Sequence, residues 1–298
     1  MQQLFRHLML ATAVLAVTGT SPALAGLSVD ETRAVNKDAT IRIENLAGTI
    51  TVTGWDRSEV QITGTLDDQA EKLEITGGGD RLDIEVRYPR SVKTHDGSTL
   101  DIRVPAGCRV KTSTVSADVA VDKVAGSVEI ETVSGEVNVR GNPAGLDVEA
   151  VSGGIDVAVA TAKATLACVS GDINVGGIRG ELECSTVSGS IEIDAGKQLQ
   201  ALECETVSGD LTVTGELPRD ADWNLSAHSG DVTLVLAGKV DAEFRIETFS
   251  GEIHDAFGHT AVRSSQFTPG HELEFSEGEG NAAVEINAFS GDVQIRKN

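Results

Sequence analysis

Aromatic residues are scarce. Two Trp, one Tyr and seven Phe amount to 3% of 298 residues, too few for the ring platforms on which sugar-binding grooves stack their ligands. Basic residues are also outnumbered. Against 46 Asp and Glu stand 24 Lys and Arg, a net charge of −22, and such a surface repels nucleic acid and anionic lipid. After residue 25 no apolar run reaches membrane-spanning length, so no span is expected in the mature chain. The four cysteines contain no Cys-x-x-Cys pair, which leaves zinc and dithiol motifs unsupported. Serine-hydrolase elbows, phosphate-binding loops and nucleotide fingerprints are missing as well. The chain is nonetheless not a disordered acidic polymer, because Val, Ile and Leu are plentiful and 40% of residues are hydrophobic.

Residues 1–25 read as a secretory signal peptide. Arg6 and His7 precede an apolar run from Leu8 to Val17, and the segment ends in Ala23-Leu24-Ala25. This is a charged start, an apolar centre and a small-residue cleavage site. The centre is too short for a stable bilayer anchor. Cleavage would leave Gly26 first, with no Cys to carry a lipid. The expected product is exported, to the periplasm, cell envelope or extracellular space.

The dominant feature is a repeat. Serines of one motif fall at Ser116, Ser134, Ser152, Ser170, Ser188, Ser208, Ser229, Ser250 and Ser290, at intervals of 18, 18, 18, 18, 20, 21, 21 and 40. Gly follows in every case but the first, where Ala117 stands. With the Ser as position 0, positions −6, −4 and −2 are apolar or Thr, as in Val128, Ile130 and Thr132 or Leu146, Val148 and Ala150. Charged residues such as Glu129, Glu131 and Glu149 lie between them. Beyond the Gly, positions +3 and +5 are apolar, as in Val137 and Val139. The period of two marks strands with one buried face. The inward parity flips across Ser-Gly, so the chain must bend there. Gly permits φ > 0, and the Ser hydroxyl is expected to hydrogen-bond the local backbone.

One such unit cannot bury its own apolar face, but stacked units can. A set of antiparallel hairpins would not need one fixed phase. The expected fold is therefore all-β: a two-sheet parallel β-helix, or β-solenoid, of about 18–21 residues per coil with Ser-Gly corners. Residues 26–107 have similar short strands without the motif and read as an irregular N-terminal part continuous with the stack. Residues 108–298 carry the regular repeats. Within them, about 255–283 is irregular, with Phe257, Phe267 and Phe275, and is expected to close the far end. The 40-residue interval reads as two coils, one of them degenerate.

Four sets of residues are candidates for function. Position +2 is acidic at Asp118, Glu136, Asp172, Asp210, Asp231, Glu252 and Asp292. A row of Ca²⁺ sites is one reading. Turn chemistry, with the carboxylate accepting a local N–H, is the preferred one. Cys184 and Cys204 share position −4 in successive coils, and Cys168 and Cys108 are also expected inside. In-register parallel neighbours suit a disulfide dihedral poorly, so free core thiols are expected. Position −1 holds Val115, Val133, Val151, Val169, Val187 and Val207, then His228, Phe249 and Phe289. Strand parity points them outward, as a partner surface would require, but rotation at the corner is expected to tuck them in. His254, His259 and His271 lie in a loop-rich stretch without metal-ligand spacing. No catalytic, cofactor-binding or metal-binding residue is assigned.

The phrases TVSGEV, CVSGDI, TVSGSI, TVSGDL, TFSGEI and AFSGDV, with Asn45-Leu46-Ala47-Gly48, Gly54-Trp55-Asp56 and Val104-Pro105-Ala106-Gly107, resemble a bacterial candidate-adhesin β-strand-repeat family of unknown function. That family is related to the "head GIN" auto-transporter-adhesin domain. The resemblance covers nearly the whole mature chain. It implies a two-sheet β-helix and an envelope or adhesion role, and brings no catalytic residues. The expected function is that of a non-enzymatic, adhesin-like solenoid presenting an acidic repetitive surface. Its partner would be an envelope or extracellular protein or glycan, not nucleic acid, with weak homo-oligomerisation through the end coils. The alternatives are a polysaccharide-active β-helix enzyme and a structural or regulatory protein of envelope stress.

Overall fold

The computed structural model describes residues 27–89, 97–264 and 269–298. The expected signal peptide and Phe267 lie outside them. Among the described residues there are strands and turns but no helix, and no helix is long and apolar enough to cross a membrane. The strands form one continuous, mostly parallel hydrogen-bonded system.

Two strands of unusual length begin it. β1 (Ser28–Trp55) and β5 (Arg109–Asp122) each run through the place where later coils turn. They pair in parallel from Thr40–Asn45 against Arg109–Thr114, and again from Ala47–Thr53 against Ser116–Asp122. The Ala117 that departs from the motif is thus explained. Its strand bends without breaking, its φ is not positive, and the glycine sits opposite it, at Gly48.

The regular coils follow. β6 (Ser127–Ser134) and β7 (Val137–Gly141) form the first, then β8 (Gly145–Ser152) with β9 (Ile155–Val159), β10 (Lys163–Ser170) with β11 (Ile173–Gly176), and β12 (Glu181–Ser188) with β13 (Ile191–Gly196). β14 (Ala201–Ser208) with β15 (Leu211–Gly215) and β16 (Asp222–Ser229) with β17 (Val232–Leu236) complete the run. Every even-numbered strand from β6 to β16 pairs in parallel with the next even one, and the odd-numbered strands do likewise, so two ladders grow side by side. Equivalent residues are Cα partners: Ile130 faces Val148, which faces Leu166, and none is more than 1% exposed. The alternating pattern therefore becomes columns of aliphatic side chains inside the stack. The return loops stack as well, through bonds such as Ala144 N–H to Ala125 O and Gln200 N–H to Gly180 O, and they add Val124, Ile178 and Leu199 to the core.

Sequence order and spatial order part company near the end. β18 (Ala242–Ser250) and β19 (Ile253–Asp255) do not stack on β16 and β17. The coil made by β22 (Ala282–Ser290) and β23 (Val293–Lys297) lies between them. β22 pairs in parallel with β16 on one side and β18 on the other, and β23 does the same with β17 and β19. The 40-residue interval is therefore not two coils, one degenerate. The intervening chain contributes β20 (Val262–Arg263) and β21 (His271–Glu277), of which β21 runs antiparallel on the outer edge of β18. Phe275 of β21 stacks on Phe244 at 4.6 Å, with Phe257 tilted against both, so aromatic rings close the core where the stack ends.

The opposite end is closed by antiparallel strands too. β4 (Ser98–Pro105) lies along Gly48–Trp55 of β1, β2 (Glu59–Thr65) runs antiparallel on β4, and the start of β1 folds back on β2. β3 (Lys72–Arg87) covers the other ladder along Thr40–Glu44. Charged residues such as Glu31 and Arg33, which pair at 2.8 Å, line the outermost edge and discourage further strands from adding there.

Candidate binding surface

The corners decide what faces outward. In each regular coil positions −6, −4 and −2 are buried, as are +3 and +5. The motif serines are exposed. Their expected bond from hydroxyl to local backbone does not form: among the described residues the hydroxyls of the nine motif serines make no hydrogen bond within the protein. The carbonyl does the work instead. Gly153 N–H donates to Ser170 O, Gly189 N–H to Ser208 O, Gly230 N–H to Ser290 O and Gly291 N–H to Ser250 O.

The carboxylates at position +2 also reach between coils. Asp118 accepts from Glu136 N–H at 2.9 Å, Glu136 from Gly154 N–H at 3.1 Å, Asp172 from Ser190 N–H at 2.8 Å and Asp210 from Asp231 N–H at 2.9 Å. Asp231 accepts from Asp292 N–H and Asp292 from Glu252 N–H, which restates the inverted coil order. The bond is to the next coil, not the local one that turn chemistry predicts. It fixes six of the seven carboxylates, all but that of Glu252, along the axis of the stack. Among the described residues no group of three or more His, Cys, Asp or Glu side chains could hold a metal ion.

Position −1 overturns its expectation. The side chains are not tucked in. Val115, Val133, Val151, Val169, Val187 and Val207 are 42–49% exposed, and Phe249 and Phe289 are 47% and 50% exposed. The backbone does not rotate before the Ser, so simple alternation holds and −1 points to solvent. In spatial order the column runs through the six valines to His228, Phe289 and Phe249. The rings stack in that order, His228 on Phe289 at 4.7 Å and Phe289 on Phe249 at 5.0 Å, with nearly parallel planes. Nine rungs at a strand spacing of about 4.8 Å make an apolar stripe roughly 40 Å long.

A groove of about 510 Å³ runs beside the stripe. Val133, Val151, Val169 and Val187 form one wall, and Glu131, Glu149, Ala167 and Ser185 at position −3 form the other. The carboxylates of position −3 lie on one side of the stripe and those of +2 on the other. Among the described residues no Lys or Arg pairs with a carboxylate of either row; only His254 approaches one, Glu252, at 3.5 Å. Elsewhere cations are spent in pairs, such as Lys111 with Glu129 at 2.5 Å and Lys163 with Glu181 at 3.5 Å.

Asp147, at position −5, sits among neighbouring acids. Burial first, then the charges of Glu129, Glu131 and Glu183, hold its carboxyl above the usual range. A group with a raised folded pKa stabilises the fold below its unfolded value and loses that contribution as the pH climbs through the folded one. Asp147→Asn is therefore expected to raise Tm at pH 7 by a small amount, about 1–2 °C, because solvent screens a mostly exposed site. The gain should vanish near pH 3, where the aspartic acid is already neutral. Thermal melts at the two pH values check this.

The remaining candidates are structural. Cys184 and Cys204 are Cα partners, and all four cysteines are buried and free. Burial pushes the Cys108 thiol up to about 12 and raises those of Cys168 and Cys204, so these are neutral core groups, not nucleophiles. The histidines do not converge. His259 meets Asp255 at 3.0 Å and stacks on Phe275, His271 meets Gly251 O at 2.9 Å, and His254 lies by Glu252. Sequence reasoning missed the three-ring stack, because Phe249 and Phe289 are 40 residues apart. Their shared position in the motif was the signal that could have found it.

The family described as Toastrack DUF4097 matches residues 35–296. No protein curated for function matches the chain. Among solved structures, a candidate adhesin from Bacteroides fragilis NCTC 9343 is 13% identical, aligning 90% of this chain with 97% of that one at a TM-score of 0.45. A candidate adhesin from Parabacteroides distasonis ATCC 8503 is 11% identical, with 91% and 97% covered at a TM-score of 0.41. A candidate lipid-binding protein from the same strain is 16% identical, with 90% and 97% covered at a TM-score of 0.38. Likenesses this distant carry no argument about ligands.

Proposed function

The chain belongs to the Toastrack DUF4097 family, and from that premise we propose that it is a non-enzymatic, exported, adhesin-like protein. Its two ladders make a two-sheet β-helix whose stacked corners offer one repeated surface to an envelope or extracellular partner. The observation that supports this most is the stripe at position −1. Monomeric proteins seldom leave a contiguous apolar strip of this length in water unless something binds there.

A polysaccharide-active enzyme would need a cluster of acids and bases that departs from the repeat. The acidic groove of about 470 Å³ lined by Lys163, Glu181, Glu183, Glu203, Asp222 and Glu285 is built from positions −7 to −5 of successive coils, so it belongs to the repeat itself.

The test is adhesion of beads coated with the protein to envelope vesicles of the producing cell. The comparison is a variant with Val133, Val151, Val169 and Val187 all changed to Thr. Thr keeps the shape and strand preference of Val and leaves the net charge alone. Adhesion should fall at least tenfold in the variant. Equal adhesion by both proteins sinks the reading.

A further inference from the structure

The stripe and its borders restrict what can lie on them. The stripe runs across the strands, along the axis of the stack. The backbone groups beside it are already used between coils, as in the paired β10, β12 and β14. A partner strand therefore has no free edge to extend here. An anionic amphiphile is repelled by the carboxylates of both bordering rows, Glu131 and Glu149 on one side and Asp118, Glu136, Asp172 and Asp210 on the other. These rows lack Lys or Arg partners, in a chain of net charge −22. The complementary object is long, narrow and apolar along one line, and cationic along both flanks of that line.

We propose that the stripe docks a cationic amphipathic helix, lying along the stack with its apolar face on Val133–Val207 and its Lys or Arg side chains over the two carboxylate rows. This deepens the adhesin-like reading above and rests on it. The dimensions fit over a limited length. A helix repeats its apolar positions about every 5.4 Å, whereas the rungs repeat about every 4.8 Å. The mismatch grows by roughly 0.6 Å per rung and reaches about half a rung after four. In-phase contact therefore spans about four or five rungs, which is the extent of the groove from Val133 to Val187. A helix of about 16–18 residues covers that distance. The fixed carboxylates at +2 are already oriented by their inter-coil bonds, so little ordering is needed when cations arrive.

The experiment measures fluorescence anisotropy of labelled 18-residue peptides with the full mature protein. One peptide places Leu at helical spacing (i, i+3, i+4, i+7) with Lys elsewhere. A second scrambles the same composition, and a third replaces Lys by Glu. The amphipathic Lys peptide should bind at least tenfold more tightly than its scramble, and the Glu peptide not at all. The four-fold Val→Thr variant should lose at least tenfold in affinity while its thermal transition stays in place. Glu131→Gln with Glu149→Gln should weaken binding and flatten its salt dependence. Equal affinity for the amphipathic and scrambled peptides overturns the proposal, because charge alone would then explain binding. So does unchanged binding by the Val→Thr variant. A Val→Thr-sensitive dimer of the protein alone, without peptide binding, assigns the stripe to a second copy and also overturns it. If the peptides fail while vesicle adhesion still depends on the valines, the partner class falls and the adhesin-like reading stands.

Discussion

Deleting residues 282–298 should do far more damage than removing an end coil. In a stack built in sequence order, the last winding is an edge, and its loss merely exposes the one beneath. Here β22 and β23 are held on both sides. Their removal takes Val284, Ile286, Ala288, Val293 and Ile295 out of the core, on the order of 10 kcal/mol of gross apolar burial. It also leaves β18 and the antiparallel β21 with no ladder to dock on, because β18 touches the stack through β22. The expected result is loss of all structure beyond β17, with proteolysis starting between residues 237 and 281 and a sharp fall in Tm. Limited proteolysis and thermal melts of the shortened chain read this directly. If the deletion trims Tm by only a few degrees and leaves 242–281 protected, the inserted position of the coil is wrong.

The second large effect is expected at the corner glycines. At Gly209 φ is +143°, where an L side chain is strained, and an added Cβ would sit 2.1 Å from Gly189 O and 2.6 Å from its carbon. Both atoms are backbone, in the peptide whose Ser190 N–H donates to Asp172 at 2.8 Å and next to the Gly189 N–H bonded to Ser208 O, so neither can move aside alone. Gly209→Ala should cost on the order of 3–5 kcal/mol, from strain and overpacking together. Ser208→Ala, at an exposed side chain, should stay within about 0.5 kcal/mol. Urea denaturation of the two variants measures the contrast. Equal costs would mean that the serine hydroxyl matters as much as the missing Cβ.

That contrast shows how the sequence was legible and where it was not. Alternation placed the columns through Ile130, Val148 and Leu166 without error, because one buried face per strand leaves no other register. It also located the corners. The reason for glycine was only half visible. Local φ can be argued from a turn, but the carbonyl that would strike the Cβ belongs to another coil. The order of coils was invisible, since every winding carries the same pattern and nothing in β22 says which neighbours it will have. The exposed valines were misjudged for a different reason. Plain parity pointed them outward, and the supposed rotation at the corner had no residue to support it. The assignment of the +2 acids to local turn chemistry fails, because the N–H groups they accept from lie one coil away.

A chain that folds as it emerges from its N-terminus meets the inserted coil as a timing constraint. Until residues 282–297 have emerged, β16 and β17 present bare edges, and the segment that will later sit beyond them has nowhere to settle. Completion is then a single late event, in which the final winding adds to β16 and β17 and gives β18 and β19 their ladder. A chain that stops short of residue 282 leaves the edges of β16 and β17 uncovered, open to pairing with strands of other molecules.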